Sequence, residues 1–197
     1  GWKGITFQNL ESDMLLNSPR LIIRNFKDSD IESFLVYRNI PEVAKYQGWK
    51  IPYPRELAVQ LVDEMRDIEL PHVGHWMQLA LELRETGEMI GDIGVRIKRE
   101  DARQAVIGFT LAPIHWRKGY ATEAITAVVG FLFDELDLHR ISADCDTENT
   151  GSWRTLEKVG FRREAHFVES YPMGDDYASE YVYGMLQREW RARKSLG

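Results

Sequence analysis

The stretch from Trp116 to Thr122 has the residue types and spacing that suit a phosphate-bearing ligand. It follows an apolar run and opens the strongest amphipathic pattern in the chain, and the first turn of a helix presents free N–H groups and partial positive charge. Gly119 lets the backbone approach a ligand closely, while Arg117 and Lys118 add charge. The stretch predicts a phosphate or diphosphate site. A plain strand-to-helix turn with two solvated cations has the same pattern, and neither P-loop nor G-x-G-x-x-G spacing is present.

The elements that position this stretch indicate one mixed sheet with helices on its faces. Apolar and β-branched runs predict strands over 20–26, 77–83, 89–98, 105–111, 140–146, 161–170 and 180–186. Apolar residues at helical spacing predict helices after an N-cap at Asp28, over 55–70, over 125–136 and over 152–159, the last ending at Gly160. The predicted order is β-α-α-β-β-β-α-β-α-β-β, in a single domain over 19–192 after an extension over 1–18 that the patterns do not place.

Composition excludes several classes of function. The chain has 197 residues, a single cysteine and a formal net charge of −6. One cysteine, Cys145, excludes a disulfide framework, and no His and carboxylate pattern predicts a metal site. The acidic balance argues against a nucleic-acid partner, and no apolar run is long enough for a membrane span. With one thiol and no export signal, we expect a cytoplasmic protein.

Several ordered motifs resemble the GNAT N-acetyltransferase superfamily. The superfamily's Arg/Gln-x-x-Gly-x-Gly/Ala pattern is matched by Gly119 and Ala121, with Trp116 at its first position. That Trp and the following Gly-Tyr-Ala-Thr-Glu-Ala resemble the branch of ribosomal-protein alanine/serine N-acetyltransferases. The resemblance extends over about 20–190 and includes the segments 20–21, 24–30, 86–91, 138–141, 148–152 and 156–161.

The resemblance implies an α+β fold, a curved and mostly antiparallel mixed sheet with helices on both faces. Its central strands, 105–111 and 140–146, would splay apart, and acetyl-CoA, the co-substrate, would lie in the gap. The residues implied to bind acetyl-CoA are Leu111, Ala112, Trp116, Arg117, Lys118, Gly119, Tyr120, Ala121, Thr122, Asn149 and Ser152. The family transfers the acetyl group directly in a ternary complex, which needs no acyl-enzyme on Cys145.

Two residues are the candidates for proton transfer. Ser152 matches the hydroxyl position of the branch and is the candidate acid for the leaving thiol, although a Ser there also suits the start of a helix. Many relatives carry a Glu two residues before the Gly of the central strand, where this chain has Val106. Glu169, on the strand after Gly160, is therefore the candidate base, and removal of the proton through water is the alternative.

The sequence leaves two points open, the identity of the amine acceptor and the oligomeric state. A primary amine is implied, either a protein N-terminal α-amine or a small-molecule amine, and the negative charge slightly favours a cationic acceptor. Scattered aromatics could line its pocket: Tyr46, Trp49, Tyr53, Trp76, Tyr171 and Tyr177. His115 is expected on the outer rim with a surface or capping role. A catalytically weak CoA-binding sensor or interaction module is the alternative function, and a homodimer is left open.

Overall fold

The computed structural model describes residues 6–10, 13–68 and 72–197. Its strands are β1 (Thr6–Leu10), β2 (Asp13–Asn17), β3 (Leu21–Arg24), β4 (Trp76–Leu83), β5 (Met89–Ile97), β6 (Gln104–Leu111), β7 (Arg140–Asp146), β8 (Arg162–Met173) and β9 (Asp176–Leu186). Its α-helices are α1 (Ile31–Arg38), α2 (Pro41–Ala44), α3 (Arg55–Arg66), α4 (Tyr120–Gly130), α5 (Thr150–Val159) and α6 (Gln187–Ser195). Short 3₁₀ turns cover Asp28–Asp30 and Pro113–His115, and Phe131–Glu135 continues α4 as a π-helical turn.

The described strands form one sheet in the order β1-β2-β3-β4-β5-β6-β7-β9-β8. Every neighbouring pair is antiparallel except β6 and β7, which run parallel. Their pairing covers only Gln104–Val106 against Arg140–Ser142. Beyond these residues the two strands have no partner across the gap, which confirms the predicted α+β fold with splayed central strands.

Two apolar clusters cover the two faces of the sheet. The larger cluster joins α4, α5 and α6 to the sheet through fully buried residues such as Ile125, Leu156 and Trp190. The smaller cluster joins α1 and α3 to the other face through residues such as Phe34 and Val62. Helices therefore lie on both faces, as predicted. Within the described ranges, no helix combines the length and apolarity that crossing a membrane requires.

The structure departs from the predicted elements at both ends of the chain. In the extension over 1–18, β1 and β2 are strands that continue the sheet, with β2 antiparallel to β3. At the other end, α6 was not predicted and runs past residue 192. The expected N-cap at Asp28 is wrong: Asp28 is the first residue of a 3₁₀ turn that Lys27 precedes as N-cap, and the carboxylate of Asp30 in that turn accepts the Lys27 N–H at 2.8 Å.

The left-handed residue after α5 gives a stability prediction. Gly160 has φ of 118°, and a Cβ at this position would lie 2.7 Å from the guanidinium of Arg193. We expect Gly160→Ala to lower the free energy of unfolding by about 1–2 kcal/mol, since a left-handed residue with a Cβ is strained. Gly151→Ala is the matched control, because a Cβ there meets nothing within 4 Å. Urea unfolding that gives the same stability for both variants would contradict this reading of the turn.

Candidate active site

A cavity of about 790 Å³ opens where β6 and β7 separate. Its walls come from α2 and the residues after it, the end of β6, the turn before α4, and the start of α5. Of the residues predicted to bind a cofactor, the structure places these on the wall: Leu111, Trp116, Arg117, Gly119, Tyr120, Ala121, Thr122, Asn149 and Ser152. The splay of two strands thus brings two separate sequence motifs to one cavity.

The turn before α4 presents a row of backbone N–H groups at this wall. Gly119 has φ of 82° and Arg117 has φ of 60°. Left-handed residues in such turns direct successive N–H groups to one side, which forms a concave site for anions. The Glu123 N–H donates to the Gly119 carbonyl at 3.1 Å. The N–H groups of Tyr120, Ala121 and Thr122 precede it in the first helical turn, where no intrahelical acceptor exists.

Trp116 holds this turn against the end of β6. Its indole N–H donates to the Leu111 carbonyl at 2.9 Å. The superfamily pattern has Arg or Gln at this position, and the indole here uses its donor within the chain. Trp116 therefore shapes the turn that carries the free N–H groups.

Arg20 fastens the same turn to β3, an interaction that sequence reasoning did not find. Its guanidinium donates to the Lys118 carbonyl at 2.8 Å and to the Glu123 carboxylate at 2.9 Å, and it lies 4.3 Å from the centroid of the Tyr120 ring. Glu123 also accepts the Ser18 hydroxyl at 2.6 Å. Burial opposes the charge on Glu123, but these hydrogen bonds hold its pKa below the usual value. A compensated carboxylate therefore lies in the first turn of α4.

The opposite wall is the start of α5. The side chain of Asn149 accepts the Ser152 N–H at 3.3 Å, so Asn149 caps the helix through its oxygen and keeps its NH₂ group as a donor. The Ser152 hydroxyl contacts the Cys145 thiol. Burial raises the pKa of that thiol to about 11 although the hydroxyl favours the thiolate. Cys145 therefore stays protonated at neutral pH, while Ser152 carries a hydroxyl at the cavity wall.

The structure does not bring three predicted site residues to the cavity wall. Ala112 donates its N–H to the Ile90 carbonyl at 2.9 Å and packs in the cluster under α1. Lys118 does not line the cavity, and its carbonyl accepts a hydrogen bond from Arg20 at 2.8 Å. Glu169 is exposed on a bulge of β8 with φ of 46°, and its N–H donates to the Ser179 hydroxyl at 2.8 Å. The candidate base and the candidate acid are thus not brought together.

The expected aromatic pocket is largely dispersed. Of its six members, Tyr46 lines the cavity. Trp49 and Tyr53 instead pack around the buried guanidinium of Arg38, whose carbon lies 3.8 Å and 5.3 Å from their ring centroids. Tyr171 donates to Asp146 at 2.7 Å. Trp76 and Tyr177 are exposed, so only Tyr46 of the six lies on the cavity wall.

His115 also differs from the expectation of a surface role on the outer rim. It is only 8% exposed and lines the cavity, with Nε2 at 3.4 Å from the Glu88 carboxylate. Its ring meets that of Tyr120 edge to face. His115 is thus a buried part of the cavity wall and does not lie on the outer rim.

The cavity wall carries more cationic than anionic side chains, although the chain as a whole is acidic. Its cations are Lys45, Arg117, Arg154 and Lys158, and its carboxylates are Glu42 and Glu148. In the described parts of the chain, none of those four cations has a carboxylate within ion-pair distance. Together with the free N–H groups of α4, this wall can hold a ligand that carries several negative charges.

Comparison with known proteins decides the family. The family model of the acetyltransferase (GNAT) domain matches residues 20–162. The chain belongs to the GNAT family of N-acetyltransferases. It is 35% identical over 174 residues to YoaA, an uncharacterised N-acetyltransferase of Bacillus subtilis (strain 168). The matched region covers 88% of this chain and 97% of that protein.

Solved structures agree with the assignment. The crystal structure of a GNAT-family acetyltransferase from Bacillus anthracis is 31% identical, with a TM-score of 0.78 over 89% of this chain and 99% of that one. Spermidine N-acetyltransferase from Vibrio cholerae, solved with CoA and spermine, has a TM-score of 0.75 over 88% of this chain and 99% of that one. At 20% identity, the latter likeness shows the fold alone. This chain is thus an N-acetyltransferase with the GNAT fold.

Proposed function

We propose that this N-acetyltransferase binds acetyl-CoA in the cavity between β6 and β7 and transfers the acetyl group directly to a primary amine. The observation that carries the proposal is the turn at 117–122, whose free N–H groups and left-handed Gly119 suit a diphosphate. The cationic balance of the wall supports the same ligand, which is multiply anionic. The parted edges of β6 and β7 offer backbone groups to its pantetheine arm. These features fit the GNAT family, which uses acetyl-CoA.

In the proposed transfer, residues on both walls of the cavity donate or accept protons. Acetyl-CoA supplies the thioester, and the amine nitrogen forms a bond to its carbonyl carbon as the carbon–sulfur bond breaks. We assign the proton for the leaving sulfur to the Ser152 hydroxyl, which is re-protonated through water by the second proton that the nitrogen loses as the amide forms. The ammonium proton of the acceptor leaves through water in the cavity. Glu42 and Glu148 are the wall carboxylates that can receive it.

An acidic strand face supports a cationic acceptor. Asp146 and Glu180 face each other across β7 and β9, and Asp144 lies two residues earlier on the same face of β7. Burial and the nearby charge of Asp144 raise the pKa of Glu180. This face ends two residues before Glu148 of the cavity wall. We propose that the acceptor is an amine that is protonated in solution, either a protein N-terminal α-amine or a small amine. We propose that the transfer takes place in the cytoplasm.

An acceptor survey tests the proposal. Thiol release from acetyl-CoA would be followed with a polyamine, an aminoglycoside, amino-acid derivatives and peptides that begin with Ala or Ser. We expect release above acetyl-CoA hydrolysis with at least one class, and mass spectrometry should show one added acetyl group on the amine. Tight CoA binding without release for any acceptor would instead favour a CoA-binding sensor or interaction module.

Arg20 gives a further prediction at this site. Arg20→Gln removes the cation that pairs with the Glu123 carboxylate near the proposed diphosphate, and it removes the donor to the Lys118 carbonyl. We expect KM for acetyl-CoA to rise about tenfold, the loss of one charged hydrogen bond, with kcat little changed. Arg55→Gln, which breaks the exposed pair with Glu32 between α1 and α3, is the control and should leave both constants unchanged. An unchanged KM in Arg20→Gln would remove this positioning role.

A further inference from the structure

Two cations of α5 stand on the cavity wall apart from the diphosphate turn. Arg154 and Lys158 are four positions apart, so they lie on one face of the helix, and both line the cavity. Both side chains belong to exposed residues. In the described part of the chain, neither has a carboxylate within 4.0 Å.

The neighbouring acid of α5 is engaged on another side. The carboxylate of Glu157 accepts the Tyr183 hydroxyl at 2.8 Å and lies 3.4 Å from the Arg163 guanidinium. It therefore does not neutralise the two cations. Like charges four residues apart destabilise a helix. Lys158 lies in the last turn, where the helix dipole favours a cation, but Arg154 lies a turn earlier and has no such compensation.

The two walls of the cavity thus offer two separate places for phosphate. The turn before α4 binds through backbone N–H groups and suits a diphosphate. The α5 pair binds through a guanidinium and an ammonium, which suit the terminal oxygens of a phosphate monoester. Coenzyme A carries both groups, a diphosphate and a separate 3′-phosphate on the ribose.

We propose that Arg154 and Lys158 form a phosphomonoester site that recognises the 3′-phosphate of acetyl-CoA. The inference rests on the proposed function, because it assigns a second group of the same ligand. The enzyme then selects 3′-phosphorylated coenzyme A over its dephosphorylated form. Arg154 supplies paired donors and Lys158 supplies a point charge one turn along the same face.

Calorimetric titration with CoA and with dephospho-CoA tests this site. The native protein should bind CoA about tenfold more tightly, as expected for a charged hydrogen bond partly screened by water. Arg154→Gln and Lys158→Gln should each weaken CoA binding severalfold and leave dephospho-CoA binding unchanged. Arg188→Gln, an exposed α6 residue away from the cavity wall, is the charge-matched control and should retain the native preference.

The outcomes separate this inference from the proposed function. Equal binding of CoA and dephospho-CoA by the native protein overturns the phosphomonoester site and leaves the proposed function standing. The phosphomonoester site is likewise overturned, with the proposed function left standing, if Arg154→Gln weakens the binding of CoA and of dephospho-CoA by the same factor. If the native protein binds neither ligand, the proposed function fails and the site fails with it.

Discussion

Gly119→Glu is expected to weaken acetyl-CoA binding about 100-fold or more, because a carboxylate would stand where the N–H groups of α4 meet the diphosphate. The side chain would also be strained, since Gly119 has φ of 82° and its Cβ would lie 3.2 Å from an Arg20 nitrogen. Calorimetric titration with acetyl-CoA measures the effect.

Gly119→Gln is the matched control for that variant. It has the same strain and nearly the same volume as Gly119→Glu but carries no charge. We expect it to lose about tenfold in affinity, because a residue with a Cβ lets the free turn relax and binding must restore the left-handed conformation at a cost of about 1–2 kcal/mol. If the two variants bind acetyl-CoA equally, charge repulsion plays no part and no phosphate lies near this turn. Native affinity in Gly119→Glu would remove the turn from the site altogether.

Ser152→Ala is expected to lower kcat about 100-fold, the contribution of a positioned acid, while KM for acetyl-CoA changes little. The hydroxyl would protonate the departing sulfur, so its loss affects the rate of transfer more than binding. Steady-state kinetics with the acceptor found in the amine survey separate the two constants. An equal loss of affinity and rate would reassign Ser152 to positioning the ligand.

Cys145→Ala is the control for this variant, because the Cys145 thiol is the group that the Ser152 hydroxyl contacts in the structure. We expect nearly native kcat, since burial keeps the thiol protonated and direct transfer needs no acyl-enzyme. A loss as large as that of Ser152→Ala would show that the pair acts together, or that the thiol carries the acetyl group.

Local patterns predicted the elements that build the cavity. The strand expected over 140–146 is β7 with the same bounds. The helix after the Gly119 turn begins at Tyr120, and α5 ends at a left-handed Gly160. These features depend on apolar periodicity and on glycine at left-handed positions, which are properties of short segments.

The elements that escaped prediction lack a periodic apolar pattern. Helix α6 is strongly polar and has one buried residue, Trp190, which packs against Phe133 with ring centroids 6.1 Å apart. One apolar residue gives no periodic stripe, so the sequence shows no helical pattern there. Strands β1 and β2 were missed as well: β1 pairs with β2 and β2 with β3 as local hairpins, but their short sequences, TFQNL and DMLLN, do not alternate between apolar and polar residues.

The candidate site was predicted only in part, because some of its residues are held by contacts between distant segments of the chain. The turn at 117–122 is local, whereas the link from Arg20 to Glu123 joins residues 103 positions apart. The prediction of Glu169 as the base treated 161–170 as a regular strand, in which side chains alternate between the two faces. The structure has a bulge between Phe167 and Tyr171, so the period of two does not hold across that segment.

A crystal structure of the protein with CoA tests the central claim most directly. We expect the diphosphate to accept hydrogen bonds from the N–H groups of residues 117–122, the pantetheine arm to lie between β6 and β7, and the sulfur to lie near Ser152. Density for CoA elsewhere on the protein, or a diphosphate away from the start of α4, would contradict the account.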